Sequence, residues 1–543
     1  MGFSIHNVEL TLLVLVVLVA LLAMLAQKLN TPYPIILVLG GLGLSFFRVI
    51  PHVSLNPTFV FLVILPPLVF ASSLNTPWRE FRSNLSSISM LGLGLVAFTV
   101  VGVALIAHFF IPGFDWRTGA VLGAVVSTTD VIAVAAIATR VGLPHSLLEI
   151  IEGESLANDA TGLLALQFTT AMVVSGEIPS FSRGAADLIW LIIGGIGVGL
   201  LVAFLISRFD RILFRKFPGA SDLQMLVSLA TPYFAYLLGE GLHASGVLAT
   251  VACGLYLGSS ASETLSSRAR LDARAVWNTI DFALNGLIFV VIGLQLPAIL
   301  DGIRPNNGHG PLPWPRLIIG AAFVSAIVII LRLLWMFPGA HISRFLRIHI
   351  QNQHPPKPNP RELIVMGWSG MRGVLTLAAA LSLPVFTNRG EPFPRREAII
   401  FLAFSVILVT LVGQGLTLPV LIRRLGVSEP EGTQDEERQA RKVLLNIALQ
   451  TLHGVDTTHD DSEAQAVELL ARYYDQRLQG MSRKAEKQNQ AQLDRRYREL
   501  AADIRTAQRK ELTRLREQNR FRETTLRTLE RELDLMDLSW EEN

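Results

Sequence analysis

From Val8 to Arg424 apolar residues run in stretches of about 20, separated by short turns rich in polar residues, glycine and proline. A helix rises about 1.5 Å per residue and the hydrocarbon core of a bilayer is about 30 Å thick, so such stretches have the length of membrane spans. This ruler predicts about 13 spans, near residues 8–27, 33–49, 57–74, 87–111, 118–139, 145–175, 186–207, 221–239, 243–260, 276–299, 316–338, 362–385 and 397–422.

Alternate turns differ in charge. One set carries Arg79 and Arg82, then Arg208, Arg211, Arg215 and Lys216, then Arg268, Arg270 and Arg274, then Arg344, Arg347, Lys357 and Arg361. The opposite set is poorer, although it holds Arg389, Arg395 and Arg396. Basic turns stay on the cytoplasmic side, which predicts an outside N-terminus and a cytoplasmic C-terminus. The opening Met1-Gly2-Phe3-Ser4 carries no basic leader and runs into an apolar stretch without a small-residue cleavage site, so a retained first helix is expected.

Beyond Arg423-Arg424 the pattern changes. Ser428-Glu429-Pro430-Glu431-Gly432 breaks any helix and leads into a highly charged segment. Apolar residues recur there at helical spacing, as in Leu493, Tyr497, Leu500 and Ile504 and later Leu526, Leu529, Leu533 and Met536, with a register break near Glu511 and Leu512. The expected organisation is a transmembrane domain over 1–426 and a cytosolic helical region over 427–543, either a small bundle with a regulatory role or a solvated charged helix.

Composition agrees with the spans. Of 543 residues, 51% are hydrophobic and 17% charged, and the mean hydropathy is +0.44. This is an all-α polytopic membrane protein by composition. A net charge of +3 without a basic patch gives no reason to expect nucleic acid as a partner. The single cysteine, Cys253, lies in an apolar run and is read as packing. Two glycine clusters, Gly40-Gly41-Leu42-Gly43 and Gly194-Gly195-Ile196-Gly197-Val198-Gly199, lie inside membrane-length helices and are read as close helix packing, not as nucleotide loops.

The chemistry lies in the charges left inside the spans. A carboxylate at the bilayer centre costs about 2.5–3.5 kcal/mol on insertion scales, and the usual compensation is ion or proton handling. In the sixth span Ser155 and Asp159, four residues apart, share one face, while Glu154 and Asn158 share a neighbouring one. The fifth span is interrupted by Ser127-Thr128-Thr129-Asp130, and the twelfth by Gly367, Gly370, Arg372 and Gly373. Interrupted spans in corresponding places of two halves point to a midplane site. There an acid would neutralise positive helix N-termini and a guanidinium negative C-termini, which predicts such roles for Asp130 and Arg372. The bland readings are a dipole counter-charge without ion contact for Asp130 and a snorkelling arginine for Arg372. Arg332 interrupts the eleventh span and is expected either to pair with Glu154 or to snorkel toward the cytoplasm.

Together these residues resemble the sodium/proton antiporters of the monovalent cation/proton antiporter-1 family, relatives of the sodium/hydrogen exchangers. The likeness rests on Thr129-Asp130, Glu154-Ser155-Leu156 with Asn158-Asp159, Leu65-Pro66-Pro67-Leu68-Val69-Phe70, Asn285 with Phe289 and Gly293, Arg332, and Gly370-Met371-Arg372-Gly373. It implies a 13-helix inverted-repeat fold with two crossing broken helices, a core domain moving against a dimer-forming domain, and an inner-membrane homodimer. It further implies that Asp159 binds cation and proton in turn, with Thr129, Asp130, Ser155 and Asn158 around the ion, and that the Asn-Asp pair gives electroneutral exchange. Two departures stand out: Ala71 and Ser72 replace an acid common in relatives, and Asp130-Val131 stands where many have Asp-Pro.

The expected function is therefore sodium/proton exchange, with no cofactor and with sodium and protons as cargo. Potassium or lithium exchange is the nearest alternative, because hard oxygen ligands do not separate these ions. A cation channel or a membrane ion sensor are alternatives of another class. Enzymatic chemistry is not expected, for no nucleophile and base constellation is present.

Overall fold

The computed structural model describes residues 5–46, 55–176, 181–216, 221–265, 267–303, 314–349, 357–427, 432–454 and 461–482, with a few short stretches between 504 and 533. Its regular structure is helical. The N-terminal half contributes α1 (Ile5–Lys28), α2 (Tyr33–Ser45), α3 (Pro57–Asn75), α4 (Trp78–Ser83), α5 (Leu85–Phe110), α6 (Trp116–Val125), α7 (Val131–Val141), α8 (His145–Ser175) and α9 (Phe181–Lys216). The chain continues through α10 (Ser221–Gly241), α11 (Gly246–Thr264), α12 (Ser267–Leu294), α13 (Leu296–Gly302), α14 (Trp314–His349), α15 (Pro360–Trp368), α16 (Val374–Leu381) and α17 (Arg396–Leu425). The helices α18 (Gly432–His453) and α19 (Asp461–Ser482) pack on each other in a separate compact unit, Pro430–Asn543. In that unit Leu512 and Leu533 are buried with Leu515 against them, while Leu493, Tyr497, Leu500, Leu526, Met536 and the linker at 428–431 lie outside the described residues.

Helix starts follow the side chains available to meet free N–H groups. Asn56 accepts from the Thr58 amide at 2.9 Å, Asp115 from Thr118 at 2.8 Å and Asn359 from Arg361 at 3.1 Å. Among the described residues, six continuous helical spans are long and apolar enough to cross a membrane: Pro57–Asn75, Leu85–Phe110, Ala186–Ile212, Ala269–Gly302, Pro315–His349 and Arg396–Leu425. Shorter apolar helices occupy Leu13–Lys28, Tyr33–Ser45 and Gly246–Ala261. The fifth and twelfth candidate spans fall outside this class because each is two short halves, α6 with α7 and α15 with α16. The sixth, α8, falls outside it because polar residues run along it, Glu149, Glu152 and Glu154 in its first part and Asn158, Asp159 and Gln167 beyond.

Three helices contain a wide turn, at Val60–Ile64 in α3, Met90–Leu95 in α5 and Val409–Gln414 in α17. A wide turn frees backbone carbonyls, which hydrocarbon cannot satisfy. Neighbouring helices take them up: Tyr233 donates to Val63 O at 3.0 Å, Trp335 to Met90 O at 3.0 Å and Thr161 to Gly92 O at 2.5 Å. In α3 the turn precedes Pro66 and Pro67, whose missing N–H groups loosen the ladder.

The spans sort into two bundles by their packing. One comprises α1, α2, α3, α9, α10, α11 and α12, the other α5, α6, α7, α8, α14, α15, α16 and α17. Their seam is apolar, with Leu65, Val69, Tyr236, Val247 and Val251 of the first bundle against Leu156, Ala160 and Leu375 of the second. Inside the first bundle helices approach backbone to backbone. A Cβ on Gly41 would collide with Val290 O, and one on Gly293 with Val38 O and the Leu42 amide. The cluster at 194–199 packs likewise, Gly195 and Gly199 lying against the backbone of Ser245 and Ala249.

Because the α2–α12 crossing has no room for a side chain, Gly293→Val is expected to cost about 1–3 kcal/mol, as overpacking does. Gly43, with open space where its Cβ would be, serves as the control: Gly43→Ala should leave the detergent melting temperature unchanged while Gly293→Val lowers it, and equal melting would refute the crossing's tightness.

Candidate functional site

The two interrupted spans meet at their breaks. Residues 126–130 between α6 and α7, and 369–373 between α15 and α16, are non-helical. The Asp130 amide donates to Met371 O at 2.7 Å, and the Thr128 and Thr376 hydroxyls lie 3.1 Å apart. Each break leaves a helix C-terminus and a helix N-terminus without continuation, deep among other helices.

Charge settles these ends. Arg372, fully buried, donates from Nε to Val126 O at 3.2 Å and from Nη1 to Gly370 O, so one guanidinium serves the negative ends of α6 and α15. Its own amide donates to Thr410 Oγ1 in the wide turn of α17 at 3.1 Å. Asp130 caps α7, accepting from the Ile132 amide at 2.9 Å. Gly373, at the start of α16, lies so close to this carboxylate that a Cβ there would overlap it. The acid thus lies at the positive ends of α7 and α16. The side-chain cap also explains how a break forms at Asp130-Val131 without proline.

α8 clasps the first break through Thr129. Ser155 Oγ donates to Thr129 O at 2.9 Å, Asn158 Nδ2 to Thr129 Oγ1 at 2.5 Å, and the Thr129 amide to Asn158 Oδ1 at 3.4 Å. The Thr129 hydroxyl donates to Glu154 Oε1 at 3.2 Å. Glu154 is held in turn by Arg332, whose Nη1 meets Oε1 and whose Nη2 meets Oε2 at 2.8 Å, a two-pronged pair with both side chains buried. The remaining Arg332 donors reach Met366 O at 3.3 and 3.1 Å, the last turn of α15. The two arginines therefore both brace the second broken span.

Against this framework lies a cavity of about 420 Å³. Asp159, Asp130, Thr129 and Ser155 line it, together with Ala71 and Ser72 of α3. Asn158, expected among the ion's ligands, is not in the lining: it is buried, and its amide is spent on Thr129. Glu154, Arg332 and Arg372 also lie behind the wall. Sequence reasoning missed Glu152, Asp281 and Tyr33, which also line the cavity. The signal for Asp281 was present, a carboxylate within the apolar tenth span four residues before Asn285. Among the described residues the lining holds four carboxylates, Asp130, Glu152, Asp159 and Asp281, and no lysine, arginine or histidine. Such a concavity attracts cations and repels anions.

Residues 14–424 match the family profile described as sodium/hydrogen exchanger, transmembrane. The chain is 33% identical over 513 residues to an uncharacterized Na(+)/H(+) exchanger of Mycobacterium bovis, an alignment spanning 93% of this chain and 91% of that protein. It is 32% identical over 446 residues to a sodium, potassium, lithium and rubidium/H(+) antiporter of Bacillus pumilus, covering 81% of this chain but 65% of the Bacillus protein's length. The sodium proton antiporter MjNhaP1 of Methanocaldococcus jannaschii shares the fold, with a TM-score of 0.61 at 20% identity over 77% of this chain and 99% of that structure. The family and these relatives are ion exchangers and antiporters, not enzymes.

Breaking one partner of a buried ion pair costs about 3–5 kcal/mol, since it strands the other charge. Glu154→Ala and Arg332→Ala should each reduce monodisperse yield and melting temperature, and the double variant should lose clearly less than the two losses added. Additive losses in that cycle would show that the contact contributes no pairing energy.

Proposed function

The chain belongs to the sodium/hydrogen exchanger family, and on that premise we propose that it exchanges sodium for protons across a membrane by competition of the two ions for Asp159. The observation that carries this reading is the cation-attracting cavity bounded by Asp159 and Asp130 where two broken helices cross. Asp159 is not spent on a helix end, and it shares the lining of the cavity with Asp130, Thr129 and Ser155. Hard oxygens suit a partly dehydrated sodium ion. A carboxylate holds either the cation or the proton, since a bound cation favours its ionised form and protonation removes the charge that holds the cation. If the core bundle crosses only with Asp159 occupied, neither flux proceeds alone.

Asn158 positions Thr129 in this scheme and adds no second charge, so the exchange is one for one and electroneutral. The bundle containing α5–α8 and α14–α17 is the moving part, and the bundle of α1–α3 and α9–α12 is the scaffold and dimer-forming part, within the 13-span inverted-repeat architecture that family likeness implies. The lining includes Asn75 and Asn278, near in sequence to Arg79, Arg82 and Arg274, and the positive-inside rule supports reading that side of the cavity as the cytoplasmic face of an inner membrane. The region beyond 427 is cytosolic and regulatory. The breadth of ions in the name of the Bacillus pumilus relative supports a second reading, in which potassium and lithium are also carried.

In proteoliposomes with an internal pH dye, imposed sodium gradients should move protons, and Asp159→Asn should abolish the movement. Current without proton counterflow would instead establish a channel, and retained exchange in Asp159→Asn would end the competition scheme. Potassium and lithium gradients applied to the same vesicles decide the second reading.

The sign of the pH dependence follows from competition. Protons displace sodium, so the apparent KM for sodium should rise as pH falls, approaching about tenfold per pH unit once the carboxyl is mostly protonated. A KM independent of pH would exclude a shared carboxylate. Deletion after Val427 should preserve exchange and displace this pH profile, and an identical profile would reduce the tail to a solubilising segment.

A further inference from the structure

The part of the cavity lining contributed by α12 carries a second pair of polar side chains that the exchange scheme leaves unused. Asp281 and Asn285 are one turn apart on α12, and both line the cavity. Asn285 Nδ2 donates to Asp281 Oδ1 at 2.9 Å. That bond assigns the amide's nitrogen to Asp281 and leaves Oδ1 as its unused acceptor. Asn285 is fully buried, yet its Oδ1 accepts no hydrogen bond among the described residues. An orphan buried acceptor beside a carboxylate is an expensive arrangement unless something positive visits it.

Nothing in the lining supplies that charge. Among the described residues no lysine, arginine or histidine lines the cavity, and Asp281 forms no ion pair. Its neighbours there are acidic or neutral: Asp130, Glu152 and Asp159, with the Tyr33 hydroxyl and Asn278. Tyr33 packs its ring against Phe282, 5.5 Å between centroids, which holds the α2 end of the wall against α12.

We propose that Asp281 and Asn285 form a second cation site, on the scaffold wall of the cavity, at which a monovalent alkali ion docks before it reaches Asp159. The proposal rests on the exchange reading above and adds where the ion waits. Asp281 supplies the charge, Asn285 Oδ1 the neutral oxygen, and water the remaining ligands, the donor set a hard monovalent cation takes. Because α12 belongs to the scaffold bundle, this site stays behind when Asp159 moves with α8. Its contribution is to raise the local cation concentration and so to lower the KM for the cation, an effect of about tenfold or more in charge-lined clefts.

The test uses the full-length protein with sodium as the probe. In proteoliposomes, Asp281→Asn should raise the sodium KM about tenfold and lower kcat by a smaller factor, and Asp281→Glu should recover most of the affinity. In equilibrium binding of radioactive sodium to purified Asp159→Asn protein, saturable binding should persist, and adding Asp281→Asn should remove it. An unchanged KM in Asp281→Asn, or no saturable binding in Asp159→Asn, each overturns the site, the latter leaving a water as the sole occupant. If Asp281→Asn does not accumulate as a monodisperse protein, Asn285→Leu is read by the same two criteria. Failure of the exchange reading has a different signature, sodium-driven proton movement that survives Asp159→Asn.

Discussion

Four helix ends meet in a region that lipid and packed helices deprive of water, and the structure depends on how their backbone groups are satisfied. A continuous helix would avoid the problem, but it would offer the ion no backbone ends and no side chains turned into a common space. The breaks at 126–130 and 369–373 are possible because one arginine and one aspartate are placed by sign, Arg372 against carbonyl ends and Asp130 against amide ends. Moving either charge by one residue would leave several backbone groups unmet, each at a cost of several kcal/mol in hydrocarbon. The rest of the site is built on that arrangement.

A second division of labour follows from it. The polar residues around Asp159 fall into those that hold the backbone and those that remain open to the cavity. Glu154 and Arg332 neutralise each other and hold Thr129 and the end of α15, so their charges are spent within the fold. Asn158 is spent on Thr129. Glu152, Asp159 and Asp281 are the acids that line the cavity, cap no helix and form no ion pair among the described residues. Reading function from the number of buried acids would have confused the two groups, and the hydrogen bonds separate them.

The same separation measures what the sequence could disclose. Charges inside apolar spans were legible one residue at a time, and so were the interruptions, because serine, threonine and aspartate at 127–130 and the glycines of 367–373 disrupt an otherwise uniform apolar pattern. The partnership of Glu154 with Arg332 was legible by charge balance alone, since an unpaired buried guanidinium is so costly. The direction in which Asn158 points was not, because its face of α8 is set by which neighbour packs there, a tertiary fact that helical periodicity does not carry. Asp281 carried the same signal, a carboxylate inside a candidate span, but its use depends on what packs beside it. Only the approach of α2 and α3 turns that position into a wall of the cavity.

The contacts within and between the two bundles differ in kind, and this bears on motion. Within the first bundle, backbones touch through Gly41, Gly293 and Gly199, contacts that cannot slide because the fit depends on a single missing side chain. Across the seam, Leu65, Val69, Val247 and Val251 pack against Leu156, Ala160 and Leu375, and among the described residues no side-chain hydrogen bond or ion pair joins these residues to fix their register. Apolar side chains in a bilayer gain nothing from burial that lipid would not also give them, so such a seam resists displacement only through packing. Polar pairs across it would add a penalty to every register but one. A pair of bundles joined along an apolar seam, with unpaired acids at its edge, is the arrangement the proposed exchange requires: in that scheme the seam changes register while the braced breaks inside the second bundle stay intact, and one carboxylate serves two sides of a membrane.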